Sequence, residues 1–324
     1  MQQRYQIPDT DLMLSPIGLG AVKAGVDWDG ADADRLLDAY LDFGGNVIDT
    51  ARVYADFIHL NGQVEIGRSE RVIGEWIQRS GKRDQVVLIT KGGHPTMVWP
   101  TDDIHIPRMT AKDMRYDIEL SLQALHTDTI DIYFYHRDNR NQSVEEEIET
   151  MEQFRKEGKL RHYACSNWEP DRIIAADEYC RRMGYRGFVA DQALLNLGSQ
   201  YMPPLKDDTI VSIKDSLYDY HEKNLNNLAM PYRGAAAGFF HFYISGGTDA
   251  VRTHPYFSEE NVKRAERVKE LMQKYNASVS QVILGYFFVQ PFPCVPLYGP
   301  QNIAQLKDAM DTCQIHFEKE DFVF

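Results

Sequence analysis

Eight short apolar runs punctuate the chain, and between them lie longer stretches in which apolar residues recur every three and four positions. The runs are Ser15–Val22, Asn46–Thr50, Val86–Lys91, Ile130–His136, Leu160–Asn167, Gly187–Asn196, Leu225–Tyr232 and Pro293–Gly299. Runs of this length without alternation read as strands buried on both faces. The helical period is clearest over Asp32–Phe43, Glu70–Gln78, Lys112–Leu125, Val144–Lys156 and Asp171–Met183. Start signals agree with it: Ser143 followed by Glu146 makes a capping box, Thr110 with Asp113 a similar one, and Pro170 suits a first helical turn. Strand and helix therefore alternate, and eight such repeats predict an α/β fold, a (β/α)8 TIM barrel, forming a single barrel domain over residues 1–324.

An open doubly wound sheet is the competing architecture. It would normally carry G-x-G-x-x-G between its first strand and first helix. Here the glycines of Gly18-Leu19-Gly20-Ala21-Val22-Lys23-Ala24-Gly25 have the wrong spacing and fall inside the strand pattern. Long rim loops are predicted after strands 3, 6 and 7, over Gly92–Thr110, Gly198–Asn226 and Ser245–Ser258. An added helix, Ser278–Val289, precedes the last strand and is expected to pack outside the ring.

Composition narrows the functional classes. A formal net charge of −13 argues against nucleic acid or an anionic membrane as partner, because both demand basic surface. The first ten residues are polar with no apolar core, and no stretch approaches the length needed to span a bilayer, so a cytoplasmic protein is expected. Cys165, Cys180, Cys294 and Cys313 are far apart without a C-x-x-C pair, and the histidines show no metal-binding spacing, so no metal is expected. The apolar helix faces all read as barrel cover, so no subunit interface stands out.

Chemistry concentrates at strand ends. Asp49, Tyr54, Lys91 and His136 each fall where a predicted strand leaves the barrel, which is where such folds build active sites. A tyrosine hydroxyl titrates near pH ~10, so proton transfer at neutral pH requires a neighbouring cation. Lys91 would supply it, Asp49 would keep Lys91 charged, and His136 would orient a substrate oxygen. Hydride is beyond any side chain, so the arrangement calls for a reduced nicotinamide. An unrelated barrel enzyme, using Lys91 as a Schiff base or Asp49 and His136 on a metal, would need more carboxylates at strand ends than the sequence offers.

Val47-Ile48-Asp49-Thr50-Ala51-Arg52-Val53-Tyr54, Thr90-Lys91-Gly92-Gly93, Tyr135-His136-Arg137-Asp138, Gly158-Lys159-Leu160-Arg161 and Cys165-Ser166-Asn167-Trp168, in that order, resemble the aldo-keto reductases over about Leu14 to Ala309. The resemblance implies an NAD(P)-dependent oxidoreductase reducing a small aldehyde or ketone, or oxidising the alcohol, with Tyr54 as general acid or base and NADPH or NADH in extended form. It also implies that Ser166, Asn167 and Gln192 hold the carboxamide and that Tyr232 stacks on the nicotinamide ring. The carboxyl-terminal cofactor segment would be Gly299, Gln301, Asn302, Gln305 and Asp308. Gln301 stands where the family usually has Arg or Lys, which predicts weakened NADPH preference unless Arg233 or Lys307 compensates. Phe57, His94, Trp99, Trp168 and Phe239 are candidate pocket walls. Nearby His59, Asn61, Arg137, Asp138 and Asn139 point to a sugar, a sugar-derived ketone or a polyol, and Arg137 with Asp138 could instead form a rim ion pair. The alternative on the same barrel is a cofactor-sensing binding protein with slow turnover.

Overall fold

A computed structural model describes residues 4–56, 58, 64–95 and 103–324. The chain opens with an antiparallel hairpin, β1 (Tyr5–Gln6) and β2 (Met13–Leu14). Eight parallel strands follow: β3 (Gly18–Gly20), β4 (Val47–Asp49), β5 (Val87–Gly92), β6 (Ile130–Tyr135), β7 (Leu160–Ser166), β8 (Ala190–Gln192), β9 (Leu228–Ala229) and β10 (Leu297–Tyr298). They pair in the order β10-β3-β4-β5-β6-β7-β8-β9. The ring closes between β9 and the run into β10, where Ala229 N donates to Pro293 O at 3.2 Å, Val295 N to Ala229 O at 2.9 Å and Leu297 N to Pro231 O at 2.9 Å. Every strand but β5 is shorter than its apolar run, and β5 has the same length shifted by one residue.

The helices are α1 (Gly30–Asp42), α2 (Arg68–Ser80), α3 (Ala111–Ala124), α4 (Val144–Lys156), α5 (Pro170–Met183), α6 (Asp215–Lys223), α7 (Phe239–Gly246), α8 (Glu259–Tyr275), α9 (Val279–Phe288) and α10 (Ile303–Asp311). Both expected capping boxes form, Pro170 occupies the first turn of α5, and a third box joins Ser278 to Gln281. The loop after β5 is long, as predicted, with residues 96–102 outside the description. The stretch after β8 is not all loop. Leu194 N donates to Val211 O at 2.8 Å and Ile213 N to Leu194 O at 2.9 Å, which folds it back across the rim before α6 begins. The stretch after β9 holds α7.

The side-chain alternation of the strands divides the core in two. Val47, Val87, Ile89, Ile132, Phe134, Ala164, Ala190, Leu228 and Leu297 fill the barrel interior. Ile48, Leu88, Tyr133, Tyr135, Tyr163 and Cys165 face the helices. The amino-terminal hairpin closes the interior from below with Ile7, Leu12 and Leu14, all buried in the same cluster as the inward strand residues. Its apolar residues are Tyr5, Ile7 and the three-residue stretch Leu12–Leu14, too short to mark a strand run in the sequence.

The plug makes a direct prediction. Leu14→Ala should lower unfolding free energy by about 2–5 kcal/mol in a urea titration, whereas a loss under about 0.5 kcal/mol, typical of an exposed site, would show that the hairpin does not seal the barrel.

Candidate active site

Strand alternation places the polar residues. Asp49 lies two positions beyond Val47, Lys91 two beyond Ile89, His136 two beyond Phe134, Ser166 two beyond Ala164, Gln192 two beyond Ala190 and Tyr232 two beyond Met230, all inward-facing apolar residues. Period two therefore turns all six toward the barrel axis at the carboxyl rim. The register aligns them: Asp49 pairs with Ile89, Lys91 with Phe134, and Ser166 with Gln192.

Lys91 is the centre of the site. Its fully buried ammonium donates to both Asp49 carboxylate oxygens at 2.8 Å, to Thr50 O at 2.8 Å and to Tyr54 Oη at 2.9 Å. Those contacts occupy its three N–H groups, so the Tyr54 oxygen accepts and its own proton is left to point elsewhere. Gln192 Nε2 adds a 2.7 Å bond to Asp49 Oδ1. The sequence placed Gln192 only against a cofactor, and the carboxylate contact was missed, although Ala190 two positions earlier carried the signal.

Burial and the Asp49 carboxylate push the Tyr54 hydroxyl well above its ordinary value, with Arg137 opposing. Lys91 is lowered by burial, with Asp49 opposing. In the free protein Tyr54 is thus a neutral phenol, not the tyrosinate that a dominant lysine charge would give. His136 is held well below its ordinary range by burial and by His94, Arg137 and Lys91, so its ring is neutral. Among the described residues the buried His136 Nδ1 atom has no partner, and the ring is packed edge-on to Tyr54 at 5.6 Å and to His94 at 4.7 Å between centroids. His94 is brought down to about 4 by burial and Arg137. Its Nδ1 lies 2.8 Å from Pro95 O, and a carbonyl only accepts, so that nitrogen carries the ring proton.

The residues expected at a nicotinamide form a connected chain. Ser166 Oγ donates to Gln192 O at 2.7 Å, and Asn167 Nδ2 donates to Ser166 Oγ at 3.0 Å and His136 O at 3.3 Å. Asn167 Oδ1 accepts from Tyr232 Oη at 2.5 Å and from Val211 N at 3.2 Å. Asn167 has φ of +60°, a left-handed conformation that asparagine tolerates better than most residues. At the other end, Gly299 approaches the β3 backbone so closely that a Cβ there would lie 3.3 Å from Gly20 O. Asn302 caps α10 through Gln305 N, Gln301 is exposed with its N–H on Gln305 Oε1 at 2.9 Å, and Asp308 accepts from Ser278 Oγ at 2.8 Å. Lys307 is paired with Asp311, while Arg233 is exposed.

Several pocket expectations change. Trp168 is fully buried outside the ring, against Tyr135 and Phe188, with its N–H on Arg137 O at 3.1 Å, so it braces the rim from behind and is not a wall. Phe239 is likewise fully buried, in a cluster with Phe240 and Tyr256. Arg137 and Asp138 do not pair. Arg137 reaches Thr209 and Asp207 on the returning loop, and Asp138 is held by Arg172 at 3.0 Å. Phe57, His59, Asn61 and Trp99 lie outside the described residues. Among the described residues, His94, Arg137, Asn167 and Tyr232 lie around Tyr54 and His136.

With a barrel whose rim carries this cluster, the comparison with known proteins is decisive: residues 16–323 match the model of the aldo/keto reductase family, and the chain belongs to that family. It is an NAD(P)-dependent oxidoreductase by that membership. Among similar proteins, aldo-keto reductase YhdN of Bacillus subtilis (strain 168) is 33% identical over 93% of this chain and 86% of its own length. Aryl-alcohol dehydrogenase [NADP(+)] of Phanerodontia chrysosporium is 31% identical over 100% of this chain and 84% of its own length. Norsolorinic acid reductase A of Aspergillus parasiticus is 22% identical over 98% of this chain and 78% of its own length.

The neutral imidazoles carry a pH signature. His94 is depressed from 6.5 to about 4, so below pH 6.5 the unfolded chain binds a proton that the native state refuses, and this contribution to stability is lost as pH falls. The Tm of His94→Gln should therefore rise relative to wild type on going from about pH 7 to pH 5. A Tm difference independent of pH would show that His94 is not held neutral.

Proposed function

We propose that this chain reduces the carbonyl of an aldehyde or ketone, or oxidises the matching alcohol, with Tyr54 as the proton donor or acceptor. The carrying observation is Lys91 Nζ, which lies within 2.8 Å of Asp49 and Thr50 O and 2.9 Å from Tyr54 Oη. That contact fixes the phenol oxygen and leaves its proton available to a carbonyl oxygen. The neutral His136 ring beside it orients that oxygen as a hydrogen-bonding group and not as a charge. Lys91 has no spare N–H for other chemistry, which disfavours a Schiff base.

The residues present fit a nicotinamide. Gln192 Nε2 is held on Asp49, and among the described residues nothing donates to Gln192 Oε1, so an acceptor at the base of the rim is free for a carboxamide N–H. Ser166, Asn167 and Gln192 would hold that end, with Tyr232 beside the ring. Gly299, Gln301, Asn302, Gln305 and Asp308 would hold the other. When bound, the nicotinamide supplies the hydride. Gln301 cannot offer a cation to a 2′-phosphate and Lys307 is engaged with Asp311, so NADH is accepted as well as NADPH, with Arg233 the remaining nearby cation.

For substrate, the polar wall of His94, Arg137, Asn167 and Tyr232 favours a sugar, a sugar-derived ketone or a polyol. An aryl carbonyl is the second reading, favoured by the names of the aryl-alcohol dehydrogenase and norsolorinic acid reductase relatives. Initial rates at 340 nm with sugars, polyols and aryl aldehydes separate the two readings.

Tyr54→Phe should lower kcat by about 10³-fold or more while cofactor affinity changes little; retained turnover would remove Tyr54 from the chemistry. Gln301→Arg should raise the kcat/KM ratio of NADPH to NADH about tenfold or more, and an unchanged ratio would mean that Gln301 does not face the 2′ position.

A further inference from the structure

Tyr54 is the one member of the quartet that no strand holds. Asp49 and Lys91 belong to β4 and β5, and His136 directly follows β6, but Tyr54 sits on a turn over residues 52–56 with a positive φ of +68° at the next residue, Ala55. Something must fix this turn against β5 if Tyr54 Oη is to stay 2.9 Å from Lys91 Nζ. Main-chain bonds do part of it: Thr50 N donates to Ile89 O at 2.9 Å and Arg52 N to Lys91 O at 3.0 Å.

The remaining tie is a fully buried carboxylate that the sequence did not single out. Glu70, in the first turn of α2, accepts from Thr90 Oγ1 at 2.6 Å with one oxygen and from Arg52 Nη1 at 3.1 Å with the other. Thr90 directly precedes Lys91, and Arg52 lies two residues before Tyr54. One carboxylate therefore grips both sides of the Tyr54–Lys91 contact. The space is built for the guanidinium: Gly67, at φ +77°, passes so near that a Cβ would lie 1.7 Å from Arg52 Nη1. Ser69, next to Glu70, adds a parallel tie through Thr50 Oγ1 at 2.7 Å. Burial raises Glu70, and Arg52 is the main cation opposing that cost. A buried ion pair is weak evidence for stability, because apolar residues of like volume can serve as well. Its retention beside a reacting group points to geometry.

We propose that the buried Glu70–Arg52 pair is a positioning element that sets the Tyr54–Lys91 distance, and that it acts on turnover more than on binding. The proposal rests on Tyr54 being the proton donor. Misplacement of a reacting group by about 1 Å costs on the order of 10²-fold in rate.

The test compares Arg52→Met, Arg52→Lys, Glu70→Gln and Thr90→Val in the full-length protein. Measurements are kcat and KM with the best substrate, cofactor Kd by fluorescence, Tm, and a crystal structure of Arg52→Met. Arg52→Met should lower kcat about ten- to a hundredfold with KM and cofactor Kd within about threefold, Arg52→Lys should recover much of that loss, and Tyr54 should move away from Lys91 in the crystal. Thr90→Val, which leaves the charges in place, should give a smaller loss of the same kind and keeps the test open if Glu70→Gln does not fold. A lowered Tm with kcat near wild type and an unmoved Tyr54 would overturn the proposal and make the pair structural only. If wild type turns over no carbonyl, the proton-donor reading fails separately, and the crystal distance still decides the positioning role.

Discussion

Everything at the rim depends on the two-residue period of a strand that is buried on both faces. A parallel barrel strand that sends Val47, Ile89, Phe134, Ala164 or Ala190 into the interior must send the residue two further on in the same direction. At the carboxyl ends those next residues are Asp49, Lys91, His136, Ser166 and Gln192, so the fold converts an apolar packing pattern into a convergent polar cluster. A one-residue slip of any strand would turn its polar end toward the helices and remove it from the site. The amino-terminal hairpin completes that inward layer: it closes the interior with Ile7, Leu12 and Leu14, buried in the same cluster.

On that frame the electrostatics follow from burial. A lysine and an aspartate out of water are tolerable only as partners, and Lys91 meets Asp49 with both carboxylate oxygens at 2.8 Å. The same lack of water keeps Tyr54 protonated and both His94 and His136 neutral. The free site therefore holds the Lys91–Asp49 pair with neutral hydrogen-bonding groups beside it, and the Arg137–Asp207 pair in its wall. Such a site favours donation of a proton to an oxygen that is gaining charge, and its donors are in place beforehand, which is the economical way to stabilise a developing oxyanion.

Much of this was legible in the chain. All eight strands and the helices from α1 to α5 announce themselves because continuous apolar runs and three-four periodicity are local signals, and the capping boxes at Thr110 and Ser143 sharpen two of the starts. The quartet was legible because each member sits at or just beyond a strand end. What escaped was set by contacts between distant segments. The hairpin is invisible because its apolar residues form no run longer than Leu12-Met13-Leu14. Trp168 looked like a pocket wall beside Asn167, but the left-handed turn at Asn167 sends the indole behind the rim. Arg137 and Asp138 are neighbours in sequence yet pair with Asp207 and Arg172, since adjacent residues leaving a strand point to opposite sides. Glu70 reads in isolation as an ordinary helix-start acid, and only the fold shows it buried between Thr90 and Arg52.

The central claim is that the barrel brings Lys91 and Tyr54 together for proton transfer at a carbonyl. Turnover of Lys91→Met, measured beside its cofactor Kd and a circular dichroism spectrum confirming the fold, tests it most directly. The account predicts a loss of about 10³-fold or more in kcat with cofactor affinity nearly kept. A folded Lys91→Met protein that turns over within about tenfold of wild type would contradict it.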